Sequence, residues 1–109
     1  MITFQLLFAV SDDRRADFEK TYAAVFQPAL QRQAGFSSAK LLRLYSALRM
    51  QEIKATPSEW NYEVIFDFES EEARRRWATS PDHDVAWPAI SGLAQKVGWR
   101  GYDIVATTS

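Results

Sequence analysis

The sequence predicts an α+β fold, a βαββαβ sandwich with an antiparallel sheet and helices on one face. Three observations carry this expectation. Residues 2–10 and 60–68 alternate in strand fashion, residues 18–30 repeat apolar side chains at helical spacing, and two Ser-capped helical segments precede a last extended run.

In the first strand Ile2, Phe4, Leu6, Phe8 and Val10 alternate with Thr3, Gln5, Leu7 and Ala9. The second set is not clearly polar, so both faces are expected to be covered. Ser11 or Asp12 offers an N-cap oxygen, and Asp13 adds negative charge at the helix start. Phe18, Tyr22, Val25, Phe26, Ala29 and Leu30 then form one apolar stripe. Pro28 lacks an N–H and crowds the carbonyl of Ala24, which predicts a kink rather than a break. Gly35 is expected to stop this helix as a left-handed cap, with Phe36 packing behind it.

Residues 37–46 read as the second strand, with Leu42 and Leu44 on one face and Leu41 and Tyr45 on the other. Residues 47–58 fit a strand extension, a short helix or a loop, ended by Pro57. Trp60, Tyr62, Val64, Phe66 and Phe68 mark the clearest strand. Ser70 is expected to cap a helix over 71–79 that offers Ala73 and Trp77 to the core. Ser80 and Pro81 start another helix as N-cap and first residue, and Ile90, Leu93, Ala94 and Val97 extend its stripe. Residues 99–107 close the chain as a strand. This order predicts a ferredoxin-like sandwich whose second sheet face, carrying Leu7, Ile65 and Leu41, is covered by a second copy of the chain.

The 109 residues leave room for one domain, 1–109. A net charge of -1 argues against nucleic-acid phosphates or an anionic membrane surface as partners. The absence of Cys removes disulfide and thiolate chemistry, and a single His removes a multi-His metal site within one chain. No Gly-rich dinucleotide turn is present, so no cofactor is expected. The apolar start of the chain lacks the basic flank and cleavage site of a signal peptide and is too short to span a membrane, which leaves a cytoplasmic location as the expectation. Seven Phe, four Trp and four Tyr are many for so small an interior, and they point to an aromatic-lined pocket or a subunit interface.

Gly35-Phe36 after the Pro-containing helix, Phe68-Glu69-Ser70-Glu71-Glu72-Ala73 leading into Trp77, and Ser80-Pro81-Asp82-His83 together resemble the antibiotic biosynthesis monooxygenase family. The resemblance extends over nearly the whole chain. It implies a dimeric α/β barrel, in which two ferredoxin-like chains press their sheets together. Cofactor-free quinone-forming members carry an Asn and a Trp in the third strand. Aligned on Glu69, those places hold Val64 and Phe68, while Asn61 and Trp60 lie out of register. Haem-degrading members have an Asn in the first strand, which this one lacks, and their haem-ligating His falls near Trp87. Polyketide-cyclase relatives pair a Tyr with a His six residues on; here Trp77 precedes His83.

His83 is the candidate general base, since an imidazole exchanges protons near neutral pH. Trp87, four residues on, can cover its ring. The alternative role is purely structural, closing the helix start. Arg74, Arg75 and Arg76 could draw an anionic substrate, although consecutive residues cannot share one helix face. Trp77, Tyr62, Phe66, Tyr22 and Tyr45 are candidates to line an aromatic cavity around His83. The expected activity is cofactor-independent monooxygenation of a small aromatic or polyketide-like molecule, with cyclase-like chemistry or non-catalytic binding of a small aromatic or apolar ligand as alternatives. The two-sided apolar strands predict a homodimer whose interface exceeds the crystal-contact range of about 800 Å². Light scattering is expected to return twice the chain mass, and a stable monomer at micromolar concentration would overturn this.

Overall fold

The central pair of the sheet is β1 (Ile2–Ala9) and β3 (Tyr62–Phe68), antiparallel, with Phe4 opposite Phe66, Leu6 opposite Val64 and Phe8 opposite Tyr62. Beyond the strand end, Asn61 clamps this pair. Its amide nitrogen donates to the Val10 carbonyl at 2.7 Å, and its side-chain oxygen accepts from the Val10 N–H at 2.8 Å. The computed structural model describes residues 1–109. Between β1 and β3 lie a 3₁₀ turn (Asp12–Arg14), α1 (Arg15–Thr21), a π-helical turn (Tyr22–Phe26), α2 (Gln27–Gln31), β2 (Phe36–Arg43) and α3 (Ala47–Glu52). After β3 come α4 (Glu71–Ala78), α5 (Pro81–Ser91) and β4 (Lys96–Asp103). The sheet is antiparallel throughout, in the order β2-β3-β1-β4, which is the ferredoxin-like arrangement.

Alternation along β3 is complete: Tyr62, Val64, Phe66 and Phe68 are buried and the residues between them are not. Leu6 and Phe8 join them from β1, and the helices supply Phe18, Phe26, Leu30, Ala73, Trp77 and Ile90. Rings carry much of this core, with Phe8 4.9 Å from Phe18, Phe18 4.8 Å from Tyr62, and Phe26 edge-on to Trp77 at 5.7 Å. Each such side chain contributes about 1.5–3 kcal/mol by leaving water.

The opposite sheet face is mixed. Leu7 is buried there beneath Trp60, whose indole lies over Gly98 so closely that an added Cβ would stand 3.2 Å from it. Around it runs a polar ladder: Thr3 donates to Asp67 at 2.6 Å, Gln5 to Glu63 at 2.7 Å and Tyr102 to Gln5 at 3.2 Å. Leu7 and Ile65 lie on this face as expected, but Leu41 does not. Leu41 pairs with Val64 and packs under the helices, and Leu42 takes the open side. Leu41 and Leu42 still lie on opposite faces, but a bulge between Phe36 and Ser38 shifts the count, so that Ala39 and Leu41 follow Phe36 onto the helix side.

Other departures are local. Pro28 sits in the first turn of α2, directly after the π-helical turn, so the expected kink is realised as a widened turn. Gly35 has the left-handed φ of 83°, but α2 has already ended at Gln31, and the glycine turns the chain into β2 instead. β2 stops at Arg43, and residues 47–52 form the short helix α3 under a Ser46 cap. β4 begins at Lys96 and ends at Asp103, so Val97 belongs to the sheet rather than to the helical stripe. The Gln95 N–H donates to the Ala9 carbonyl at 2.8 Å and draws this segment alongside β1. No helix is long and apolar enough to cross a membrane.

Gly35 also meets α4. A Cβ there would lie 2.8 Å from the Cβ of Ala73. Gly35→Ala is expected to cost about 1–3 kcal/mol, from the left-handed backbone and the contact together. In an Ala73→Gly background the contact disappears and the backbone cost stays, so the same substitution should cost less. Equal costs in both backgrounds, measured by urea unfolding, would refute the contact.

Candidate functional site

One hydroxyl organises the junction between α4 and α5. Ser80 Oγ donates to the Trp77 carbonyl at 2.7 Å, closing α4, and accepts from the His83 N–H at 3.1 Å, opening α5. Pro81 occupies the first turn, where no N–H is needed. The two helices thereby hold Trp77 and His83 ring against ring, edge-on at 5.0 Å. One turn further, Trp87 stacks on the other side of the imidazole at 6.3 Å and an interplanar angle of 14°.

His83 faces a cavity of about 200 Å³ between these helices and the β1–β4 side of the sheet, lined by Phe4, Leu6, Arg74, His83, Trp87 and Trp99. Phe4 and Leu6 are inward positions of β1, and Trp99 is the β4 residue opposite Leu6. Trp99 meets Trp87 edge-on at 6.2 Å. Arg74, on α4, lies with its guanidinium 4.8 Å over the Phe4 ring. The imidazole makes no hydrogen bond within the chain; only the His83 backbone N–H is engaged. Burial holds the ring below the usual histidine pKa, against the opposing charge of Asp84, so it is neutral and able to accept a proton at neutral pH. No group of three His, Asp or Glu side chains is placed to hold a metal ion.

The sequence candidates separate into three places. His83 and Trp87 line the cavity, and Trp77 braces His83 from behind. Phe66 packs beside Phe4 across the strand pair at 5.6 Å without lining the cavity. Tyr62 and Tyr45 belong to a separate open cleft of about 920 Å³ near α3. There the Tyr62 hydroxyl donates to Glu19, and Arg43 meets the same carboxylate at 2.9 Å. That hydrogen bond lowers the pKa of Glu19, while burial and the carboxylate raise that of Tyr62. Tyr22 packs in the core against Phe26, its hydroxyl buried without a partner. Phe4, Leu6 and Trp99 were not singled out in the sequence; the signal that finds them is cross-strand register, which places all three on the helix-covered face.

No family model matches the chain, and no curated protein matches it. Solved structures do. SnoaB, a cofactor-independent oxygenase from Streptomyces nogalater, superposes with a TM-score of 0.73 at 23% identity, over 97% of this chain and 94% of its own. A mutant of MhuD with two manganese protoporphyrin IX bound per active site gives 0.74 at 21% identity, over 100% and 99%. A dimeric ferredoxin-like protein of unknown function from Thermobifida fusca gives 0.68 at 15%, over 93% and 88%. At these identities the likeness establishes the shared fold.

The lowered His83 pKa has a definite consequence for stability. Folding weakens proton binding at this ring, so its contribution is complete above the unfolded value near 6.5 and is lost as pH falls through the folded value. The stability difference between wild type and His83→Gln is therefore expected to shift against the wild type as pH drops from about 7.5 to 5.5. A difference that stays constant across urea titrations in this window would contradict the assignment.

Proposed function

We propose that the chain is a cofactor-independent oxygenase acting on a compact aromatic molecule, with His83 as its general base. The observation that carries this reading is a neutral, half-buried imidazole on the wall of a cavity otherwise lined by Phe4, Leu6, Trp87, Trp99 and one arginine, Arg74. The helix cap supports the same reading. Ser80 bonds the His83 backbone N–H, which any residue supplies, so the side chain is not needed to start α5.

The substrate class follows from the walls. Phe4, Trp87 and Trp99 suit a flat ring system, and about 200 Å³ is below the range of roughly 300–1,000 Å³ common for drug-sized ligands. An aromatic ketone with an acidic ring methylene fits this description. His83 removes a methylene proton, and the low-polarity walls favour delocalisation of the charge into the rings. The carbanion then reduces dioxygen. Conversion of the methylene to a carbonyl releases four electrons, one oxygen atom is incorporated and the other leaves as water, so no external reductant is required. Cyclase-like chemistry would start from the same carbanion, with attack on a carbonyl of the substrate in place of dioxygen. The likeness to SnoaB supports the oxygenase reading, and the dimeric description of the Thermobifida fusca protein supports homodimerisation.

Oxygen uptake with a tricyclic aromatic ketone as substrate tests the assignment. His83→Ala is expected to lower kcat by about a hundredfold or more while circular dichroism and the melting temperature stay near wild type. Unchanged turnover in that variant would overturn the role of His83.

A further inference from the structure

We infer that Arg74 is the anchor for a carboxylate on the ligand, so that the His83 cavity selects aromatic acids over neutral aromatic compounds of the same shape. This rests on the cavity being the ligand site, as proposed above, and adds the ligand's polar handle.

Of three successive arginines, only Arg74 enters the cavity wall; its side chain is 18% exposed, against 70% for Arg75. Two contacts hold it. Glu71 accepts from Nε at 2.9 Å and from Nη2 at 2.6 Å, and the Phe4 ring supports the guanidinium plane. A guanidinium presents two bidentate edges, one through Nε and Nη2 and one through the two terminal nitrogens. Glu71 occupies the first. Nη1 makes no hydrogen bond within the chain, so the second edge is unspent, and its geometry matches a carboxylate.

Charge favours the same ligand. Glu71 is shared between Arg74 and Arg75, which leaves the trio with one positive charge in excess. His83 is the other titratable group on the wall. It is neutral at neutral pH, so it neither repels nor replaces the anchor. A ring system held between Phe4, Trp87 and Trp99 would thus carry its acid at Arg74 and present its reactive edge to the remaining wall.

Two bicyclic probes of matched shape test this, 2-naphthoate and 2-naphthylmethanol, followed by quenching of tryptophan fluorescence. The acid is expected to bind about tenfold or more tightly than the alcohol, and the preference should weaken in high salt. Arg74→Gln should abolish the preference while changing alcohol affinity less than about threefold, and Arg75→Gln should leave it intact. Arg74→Lys should keep only part of it, because the charge remains and the fork is lost. Far-ultraviolet circular dichroism of each variant separates loss of binding from loss of fold. Equal affinity for acid and alcohol, or a preference that survives Arg74→Gln, overturns the anchor and leaves the cavity reading intact. Binding of neither probe overturns both.

Discussion

The side chain of Asn61 acts as an extra rung of backbone at the end of the central strand pair, with both of its hydrogen bonds directed to Val10. Its own N–H donates to the Phe8 carbonyl and its carbonyl accepts from Leu44, so three strands meet at this residue. Register is what this clamp protects. A slip of one residue between β1 and β3 would turn Phe4, Leu6 and Phe8 outward and bring Thr3, Gln5 and Leu7 beneath the helices. The cavity would lose its apolar floor and the core its aromatic cluster at the same time.

On the helical side, the equivalent economy is the Ser80 hydroxyl. It gives the Trp77 carbonyl a second donor, beside the Ser80 N–H at 3.1 Å, and satisfies one orphan N–H of α5, and so ties the end of one helix to the start of the next. Trp77 and Trp87 then hold the imidazole from two directions. The imidazole is placed by packing, with no carboxylate partner to orient it. A ring positioned in this way keeps both nitrogens available and stays neutral because it is partly withdrawn from water.

Elements whose signals are local were legible in the sequence. β3 shows strict alternation, and the caps of α4 and α5 lie in the Ser-to-helix transitions themselves. The sequence alone puts Leu41 on the wrong face, because a bulge is a relation between two strands and leaves no mark on the residues of one. The same limit governs the site. His83 and Trp87 are joined by helical spacing, whereas Phe4, Leu6 and Trp99 reach them only through pairing across the sheet. Alternation correctly groups Tyr62 with Phe66 on one face, but it does not say which end of the strand serves which hollow. Tyr62 stands at the α3 end and Phe66 beside Phe4 at the other. Arg74 shows a further limit: Glu71 lies at helical spacing from both Arg74 and Arg75, and only the tertiary contact with Phe4 separates one of them.

The sheet order leaves β2 and β4 as its two margins. Both are poor templates for another chain to extend. β4 carries Lys96, Arg100 and Asp103 at exposed positions and two glycines, Gly98 and Gly101, that weaken any added strand. β2 is interrupted by its bulge near the start and carries Lys40 and Arg43 in the open. Growth by strand addition, the route to fibrils, is thus discouraged at each margin. The strand most apt for such growth, the regularly alternating β3, is paired on both sides in the interior of the sheet.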